Sequence, residues 1–205
     1  MQTLSAAELT RMIEQARAGS REALGQLLDL YRSYLRLMAS LCTREQLHAK
    51  LSSSDIVQAT FLQAQRNFQD FKGNSEGELI SWLRKILARE WAMEVRRYST
   101  DRRDVRVERE IDGQLDESSG AVGAMLAARL PSPSESVLRR ERVVLLADAL
   151  DQLPPHYREI IVMRHLQGQS FREIATTTNR TLNSVKSIWQ RAIAEMRKQL
   201  EDRVF

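Results

Sequence analysis

The stretch QSFREIATTTNRTLNSVKSIWQRAIAEMRKQL, residues 169–200, decides the fold of this chain. It predicts a short helix capped by Ser170, followed by a turn at Asn179, whose side chain tolerates left-handed backbone angles. Ser184 is a good cap for the longer helix that follows. Apolar residues of that helix recur at helical spacing and predict its buried face, which consists of Val185, Ile188, Trp189, Ala192, Ile193 and Met196. Two helices joined by so short a turn predict a helix-turn-helix.

Polar and basic side chains lie on the opposite face of the second helix. A helix that is anchored on one face and offers hydrogen-bond donors on the other is typical of a recognition helix in the major groove of DNA. On pattern alone, an ordinary helical hairpin with a solvated basic face stays open as the alternative. The candidate residues for binding duplex DNA are Arg172, Arg180, Asn183, Ser184, Lys186, Ser187, Gln190 and Arg191.

The remainder of the chain also predicts helices. Only eight glycines and four prolines punctuate 205 residues, and alternating strand patterns are absent, so we expect an all-α fold. The predicted helices are 5–18, 20–42, 55–68, 79–98, 135–153, 156–166, 170–177 and 184–200. Residues 99–134 are charged at first, then rich in Gly, Ser and Ala, and close with PSPS. We therefore expect two helical domains, residues 1–98 and 135–205, joined by a flexible linker over residues 99–134.

Composition narrows the classes of function. The net charge of +4 suits a nucleic-acid partner without proving one. No secretory signal precedes the first helix, and no apolar run approaches the roughly 18 residues of a membrane helix, so we expect a cytoplasmic protein without membrane insertion. The one cysteine, Cys42, is expected to be a small core residue. The three histidines of the chain are scattered, and the sequence has no glycine-rich phosphate loop. We therefore expect no metal, no cofactor and no enzymatic activity.

Two stretches of the N-terminal part carry further signals. DIVQATFLQAQRNF, residues 55–68, predicts an amphipathic helix that begins with an acidic residue. LISWLRKILAREWAMEVRRY, residues 79–98, combines aromatic and basic side chains, as a single DNA strand with an unstacked base requires. Core aromatics beside a solvated basic face are the alternative. We expect Trp82 in the core and leave Trp91 open.

Both parts of the chain resemble one family, the sigma factors of bacterial RNA polymerase. ALDQLP at residues 149–154, YREIIVMRHLQGQSFREIA at 157–175 and SVKSIWQRA at 184–192 are similar to region 4 of that family. Residues 55–68 resemble region 2.2, and residues 79–98, with their WL pair, resemble regions 2.3 and 2.4. The chain departs from the family pattern at Ala59, Glu90, Trp91, Ile188 and Trp189; the family commonly has Arg at position 188 and Leu at position 189.

The resemblance implies three binding surfaces. Region 2.2 would contact core RNA polymerase, with Asp55, Gln58 and Phe61 at the contact. The loop 71–78 would hold a flipped base of the −10 promoter element, and region 4 would read the −35 element. The residues that the resemblance places at the −10 strand are Lys72, Asn74, Ser75, Arg84, Lys85, Arg89, Arg96 and Arg97.

Domain content points to the extracytoplasmic-function group, whose members keep only regions 2 and 4. The resemblance therefore implies core RNA polymerase and promoter DNA as partners, and an anti-sigma factor as the inhibitor that restrains many members of the group. Two other classes of protein stay open. A stand-alone helix-turn-helix transcriptional regulator would bind a palindrome as a dimer without polymerase. A protein-interaction adaptor would mimic a sigma factor to sequester its inhibitor.

Overall fold

The computed structural model describes residues 5–41, 52–98, 111–115, 117 and 137–204. These residues form helices and connecting turns, with no strand among them, which confirms the predicted all-α class. They fall into two compact units, residues 5–117 and residues 137–204. Cys42, His48 and most of the predicted linker lie outside the described ranges, so the limits of the two domains stay a prediction. None of the helices within these ranges is long and apolar enough to cross a membrane.

The first unit is built from helices that begin at well-defined caps. Ser5 and Glu8 form a reciprocal capping box at the start of α1, and Ser20 caps α2. Gly19 lies between them with a φ of +100°, a backbone angle that side chains rarely allow. The bounds are α1 Ala6–Arg17, α2 Arg21–Leu30, α3 Arg32–Leu41, α4 Ser53–Asn67, a 3₁₀ turn Phe68–Asp70, α5 Glu76–Tyr98 and α6, residues 111–115.

Two helices replace the single helix predicted over residues 20–42. The break falls at Tyr31, whose side chain is only 1% exposed and whose hydroxyl donates to Glu76 Oε1 at 3.2 Å. A bend here lets both α2 and α3 bury their apolar faces, while the phenol reaches α5. That partner lies 45 residues away, so local helical spacing does not reveal the break.

The structure contradicts the prediction for Trp82 and settles the position of Trp91, which the sequence left open. Trp91 is 1% exposed and belongs to the core, because it lies two turns after the fully buried Leu83 on one helix face. Trp82 is half-buried, so the expectation that it lies in the core is wrong. It packs against Phe68 and Phe71, with ring centroids 5.8 and 5.2 Å away. Which of the two indoles is buried depends on which face of α5 the neighbouring helices cover.

Glu90 is a carboxyl group buried in the first unit. Its side chain is 8% exposed, and burial, reinforced by the neighbouring charge of Glu94, raises the pKa of Glu90 above its usual value of 4.5. A carboxyl with a raised pKa is poorly tolerated in its ionised form, so it destabilises the fold at neutral pH. This penalty grows as the pH rises from 4.5 towards the pKa in the folded chain, and it vanishes when the carboxyl is protonated.

Glu90→Gln is therefore expected to raise the midpoint of thermal unfolding by a few degrees at pH 7.5. The gain should shrink as the pH falls towards 4.5, because the wild-type carboxyl then becomes neutral as well. Glu14→Gln, at an exposed position of α1, is the matched control and should change stability by less than about 0.5 kcal/mol. Equal midpoints for Glu90→Gln and wild type across this pH range would contradict the assignment.

The second unit contains the predicted helix-turn-helix. Its helices are α7 Val137–Gln152, α8 Pro155–His165, α9 Phe171–Thr177 and α10 Leu182–Val204. Ser170 and Glu173 form a capping box at the start of α9, which confirms Ser170 as its cap. Asn179 has a φ of +52°, as its position in the turn predicts. The predicted start of α10 at Ser184 is wrong: Thr181 Oγ1 accepts from the Ser184 amide at 3.2 Å, so the cap lies three residues earlier.

Candidate nucleic-acid and polymerase-binding surfaces

A small apolar core holds α9 and α10 together. Ile160 of α8, Ile174 of α9 and Val185 of α10 are each at most 1% exposed and form one cluster. Met163, Phe171, Ala175, Ile188 and Trp189 pack around it, half-buried. Three helices thus meet at a single point, and the N-terminal half of α10 is anchored on one face only.

The free face of this arrangement carries the predicted duplex-binding residues. Of the eight candidates, six are exposed and two, Ser184 and Ser187, are half-buried. The exposed side chains are Arg172, Arg180, Asn183, Lys186, Gln190 and Arg191. Helical spacing places Asn183, Lys186 and Gln190 in one row along α10. The structure therefore brings donors and cations together beside the N-terminal end of an anchored helix, as a major-groove contact requires.

Trp189 links all three helices of the second unit's core. Its Nε1–H donates to His165 Nε2 at 2.9 Å, and the two rings are stacked with centroids 6.1 Å apart. Phe171 meets the indole edge to face at 5.5 Å. Arg164 lies 4.8 Å over the Phe171 ring and donates from Nη1 to the carbonyl oxygen of Gln169 at 2.9 Å. Sequence reasoning saw Trp189 only as an apolar residue and His165 only as a surface or packing residue.

The loop between the 3₁₀ turn and α5 is fixed by Glu78. One carboxylate oxygen, Oε2, accepts from the amides of Asn74 and Ser75, both at 3.1 Å, and from Ser75 Oγ at 2.7 Å. The Ser75 hydroxyl, followed by the two amides, holds the pKa of Glu78 below its usual value. Lys72, Asn74 and Ser75 stay exposed at the surface of this ordered loop.

Gly73 has no room for a side chain. A Cβ there would lie 2.5 Å from the Phe71 ring and 2.7 Å from Glu78 Cβ. Its carbonyl oxygen accepts from Arg17 Nη2 of α1 at 2.5 Å. Sequence reasoning missed Arg17, Gly73 and Glu78 as supports of the loop; only the spacing of Ser75 and Glu78, typical of a capping box, gives a local sign of them.

Basic side chains line one row of α5. Lys85, Arg89 and Arg97 are exposed at helical spacing, and Met93, at 47% exposure, lies among them. Arg97 pairs with Glu94 at 2.7 Å, which leaves its side chain largely in solvent. Arg84 and Arg96 are half-buried, and Arg96 Nε donates to the Ala92 carbonyl oxygen at 3.0 Å. Three of the five predicted cations of α5 are thus presented to solvent.

The aromatic side chains behind the loop form a rigid support. Phe68 and Phe71 are at most 4% exposed, and both contact the half-buried Trp82. Phe68 and Phe71 also contact each other, with ring centroids 5.7 Å apart. The loop therefore rests on packed rings and not on mobile surface chains.

The exposed face of α4 differs in part from the predicted polymerase contact. Asp55 and Gln58 are exposed and lie one turn apart. Phe61 is only 8% exposed, and the Arg32 guanidinium lies 4.8 Å over its ring. Leu62, which sequence reasoning did not select, is 49% exposed one turn after Gln58. The surface row of α4 therefore runs through Asp55, Gln58 and Leu62.

Comparison with known proteins agrees with both units. The family model "Sigma-70 region 2" matches residues 30–100, and "Sigma-70, region 4" matches residues 144–196. Together the two matches cover more than half of the chain.

Curated relatives match along nearly the whole chain. The probable RNA polymerase sigma factor RfaY of Xanthomonas campestris is 26% identical over 96% of the chain, and the chain spans 45% of its length. The ECF RNA polymerase sigma factor BldN of Streptomyces coelicolor is 27% identical over 96% of the chain, which spans 67% of that relative. The ECF sigma factor SigW of Bacillus subtilis is 25% identical over 95% of the chain and 97% of its own length.

Regions 2 and 4, in this order and each with its own helical unit, place the chain in the sigma-70 family of RNA polymerase sigma factors, within the extracytoplasmic-function group.

Proposed function

We propose that this protein binds core RNA polymerase and directs promoter-specific transcription initiation, with the first unit at the −10 element and the second at the −35 element. One observation carries the proposal: a single chain of this family contains two surfaces suited to DNA. The first is the ordered loop 71–75 beside the basic row of α5, and the second is the exposed face of the anchored helix α10. Two modest DNA sites on one chain act at high effective concentration, so together they select promoters that neither selects alone.

The loop 71–75 and α5 suit a melted DNA strand. A base that leaves the stack needs a shaped surface with hydrogen-bond groups, and Lys72, Asn74 and Ser75 supply them on the aromatic support. Lys85, Arg89 and Arg97 offer cations to successive phosphates. Because Glu78 and Arg17 hold the loop in place, little conformational entropy is lost when a strand binds.

The surface row of α4 suits contact with a protein partner; it consists of Asp55, Gln58 and Leu62. An apolar side chain that is half exposed beside polar groups resembles the anchor of a protein interface. We assign this row to the contact with core polymerase, with Leu62 in the place that sequence reasoning gave to Phe61. Phe61 supports the row from below through its packing in α4.

Such a protein works where RNA polymerase works, in the cytoplasm, and performs no chemistry of its own; the polymerase makes the transcript. An anti-sigma factor that covers the polymerase-binding and DNA-binding surfaces stays a prediction from the family.

In vitro transcription with purified bacterial core polymerase tests the proposal. The template is a pool of promoter fragments, transcribed with and without the protein. New transcripts that start at defined sites only when the protein is present would support it. A chain that binds duplex DNA tightly but neither binds core in a pull-down nor yields transcripts would favour the stand-alone regulator. Core binding together with inhibitor binding, but no transcript from any fragment, would favour the adaptor.

Lys186→Ala and Arg191→Ala are each expected to weaken binding of the −35 duplex. Each removes one exposed cation of α10, so affinity should fall for all sequences and the slope of log affinity against log salt should flatten by about one unit. Lys198→Ala, farther along the same helix, is the matched control and should leave the slope unchanged. If both variants bind like wild type, the assignment of α10 as recognition helix is wrong.

A further inference from the structure

We propose that His165 is a positioning residue for the recognition helix: its Nε2 accepts the indole hydrogen of Trp189 and so fixes the rotation of α10 on α8. This inference rests on the proposed role of α10 and adds the means by which its donors are aimed. Where region 4 of the family commonly has Leu, this chain has Trp189, and a leucine side chain has no hydrogen to donate.

The contact is well formed and joins separate helices. The Nε1 to Nε2 distance is 2.9 Å, in the middle of the range for a hydrogen bond, and the rings are stacked with an interplanar angle of 25°. Both side chains are half-buried, so water competes only in part for the bond. Acceptance at Nε2 requires the imidazole tautomer that carries its proton on Nδ1.

Apolar packing alone does not set a helix rotation sharply. Ile160, Ile174 and Val185 hold α10 against α8 and α9, but contacts of this kind are non-directional. A hydrogen bond has a preferred distance and angle, and the edge-to-face contact of Phe171 with the indole, at 74°, adds a second directional restraint. Besides its apolar contacts, Trp189 of α10 is thus held on α8 by a ring-to-ring hydrogen bond.

Rotation of α10 matters because base readout is directional. Trp189 lies three residues after Lys186 and directly before Gln190, both on the exposed face. A turn of the helix about its axis would move these donors away from base edges, whereas phosphate contacts tolerate such a shift. Loss of the bond should therefore reduce discrimination between sequences more than it reduces overall DNA affinity.

A set of variants in the full chain, with core polymerase present, tests this. His165→Leu removes the acceptor, Trp189→Phe removes the donor and keeps an aromatic ring, and His165→Gln keeps an oxygen acceptor near the place of Nε2. The affinity ratio for promoter duplexes with an intact and a scrambled −35 element is measured for each. We expect this ratio to fall about two- to tenfold in His165→Leu and in Trp189→Phe. The ratio should recover in His165→Gln, and the double variant His165→Leu with Trp189→Phe should lose no more than either single variant.

A merely structural role of His165 would weaken binding to both duplexes equally, and glutamine at position 165 would not restore the ratio. Either result would overturn the proposal.

Thermal unfolding of the same chains reads the bond without DNA. Losses of stability that are not additive in the double variant support the coupling of His165 with Trp189, and additive losses overturn it, whether or not the wild type discriminates promoters. A wild-type chain that shows no preference for the intact −35 element would instead contradict the proposed function of α10.

Discussion

Gly73→Ala is expected to lower capture of the −10 strand about tenfold or more. The new methyl group would lie 2.5 Å from the Phe71 ring and 2.7 Å from Glu78 Cβ, closer than carbon atoms approach each other. Either the ring or the glutamate must move. Movement of Phe71 disturbs its contact with Trp82, and movement of Glu78 releases the amides of Asn74 and Ser75.

Energetically the substitution is a case of overpacking, which costs about 1–3 kcal/mol. The overpacking moves the loop out of the shape that binds the strand, so binding must restore that shape at about the same cost. About 1.4 kcal/mol corresponds to a factor of ten in a binding constant, and most of the affinity for the strand is therefore lost. The measurement is binding of a single-stranded −10 oligonucleotide by the protein with core polymerase, together with thermal unfolding of the free chain. Loss of oligonucleotide binding by a chain that still unfolds cooperatively, with its midpoint lowered by only several degrees, would place the damage in the loop.

Gly25→Ala is the matched control for this experiment. Gly25 lies within α2, and nothing approaches within 4 Å of a Cβ at that position. Alanine favours a helix over glycine by about 1 kcal/mol, so this variant should be as stable as wild type or more so and should bind the strand normally. If Gly73→Ala also binds the strand like wild type, the loop is not the −10 surface.

Ile174→Ala is expected to abolish recognition of the −35 element while capture of the −10 strand persists. Ile174 is fully buried between Ile160 and Val185, at the point where α8, α9 and α10 meet. Truncating a buried isoleucine to alanine costs about 2–5 kcal/mol, because apolar contacts are lost and a cavity remains. The second unit is small, and so a cost of this size is a large fraction of its stability.

The two DNA elements are measured separately, with a −35 duplex and a −10 oligonucleotide, for the protein bound to core polymerase. Thr177→Ala, exposed at the end of the same helix, is the control and should change neither. Parallel loss of both activities in Ile174→Ala would contradict the assignment of the two elements to separate units. Wild-type −35 binding would contradict the role of the cluster in holding α10.

Local sequence predicted those features of the fold that depend on neighbours along the chain. Helical class, the Ser170 cap of α9 and the left-handed turn at Asn179 all involve partners within a few residues, so propensity and spacing suffice. Even here a competing local group shifted one boundary, because the Thr181 hydroxyl caps α10 before Ser184 can. Exposure of the basic residues of α10 was predictable in the same way, since an amphipathic helix buries its apolar face.

Distant partners decided the remainder of the candidate site. Arg17 reaches the carbonyl oxygen of Gly73 across 56 residues, and Trp189 reaches His165 across 24. The burial of Trp91, the half-buried position of Trp82 and the break of the helix at Tyr31 also depend on packing against distant helices. In each case several side chains have a similar local pattern, and the helix that packs against them determines which one is buried or hydrogen-bonded.

By itself, then, the sequence determined the all-α class, the order of the two helical units and the family to which they belong, because these follow from apolar spacing, caps and motifs read along the chain. Only the tertiary structure decided which side chains hold the loop 71–75, which row of α4 faces outward and which residue of α8 bonds to Trp189 of α10. Those contacts arise between residues far apart in sequence, whose approach is set by the packing of whole helices and not by local propensity.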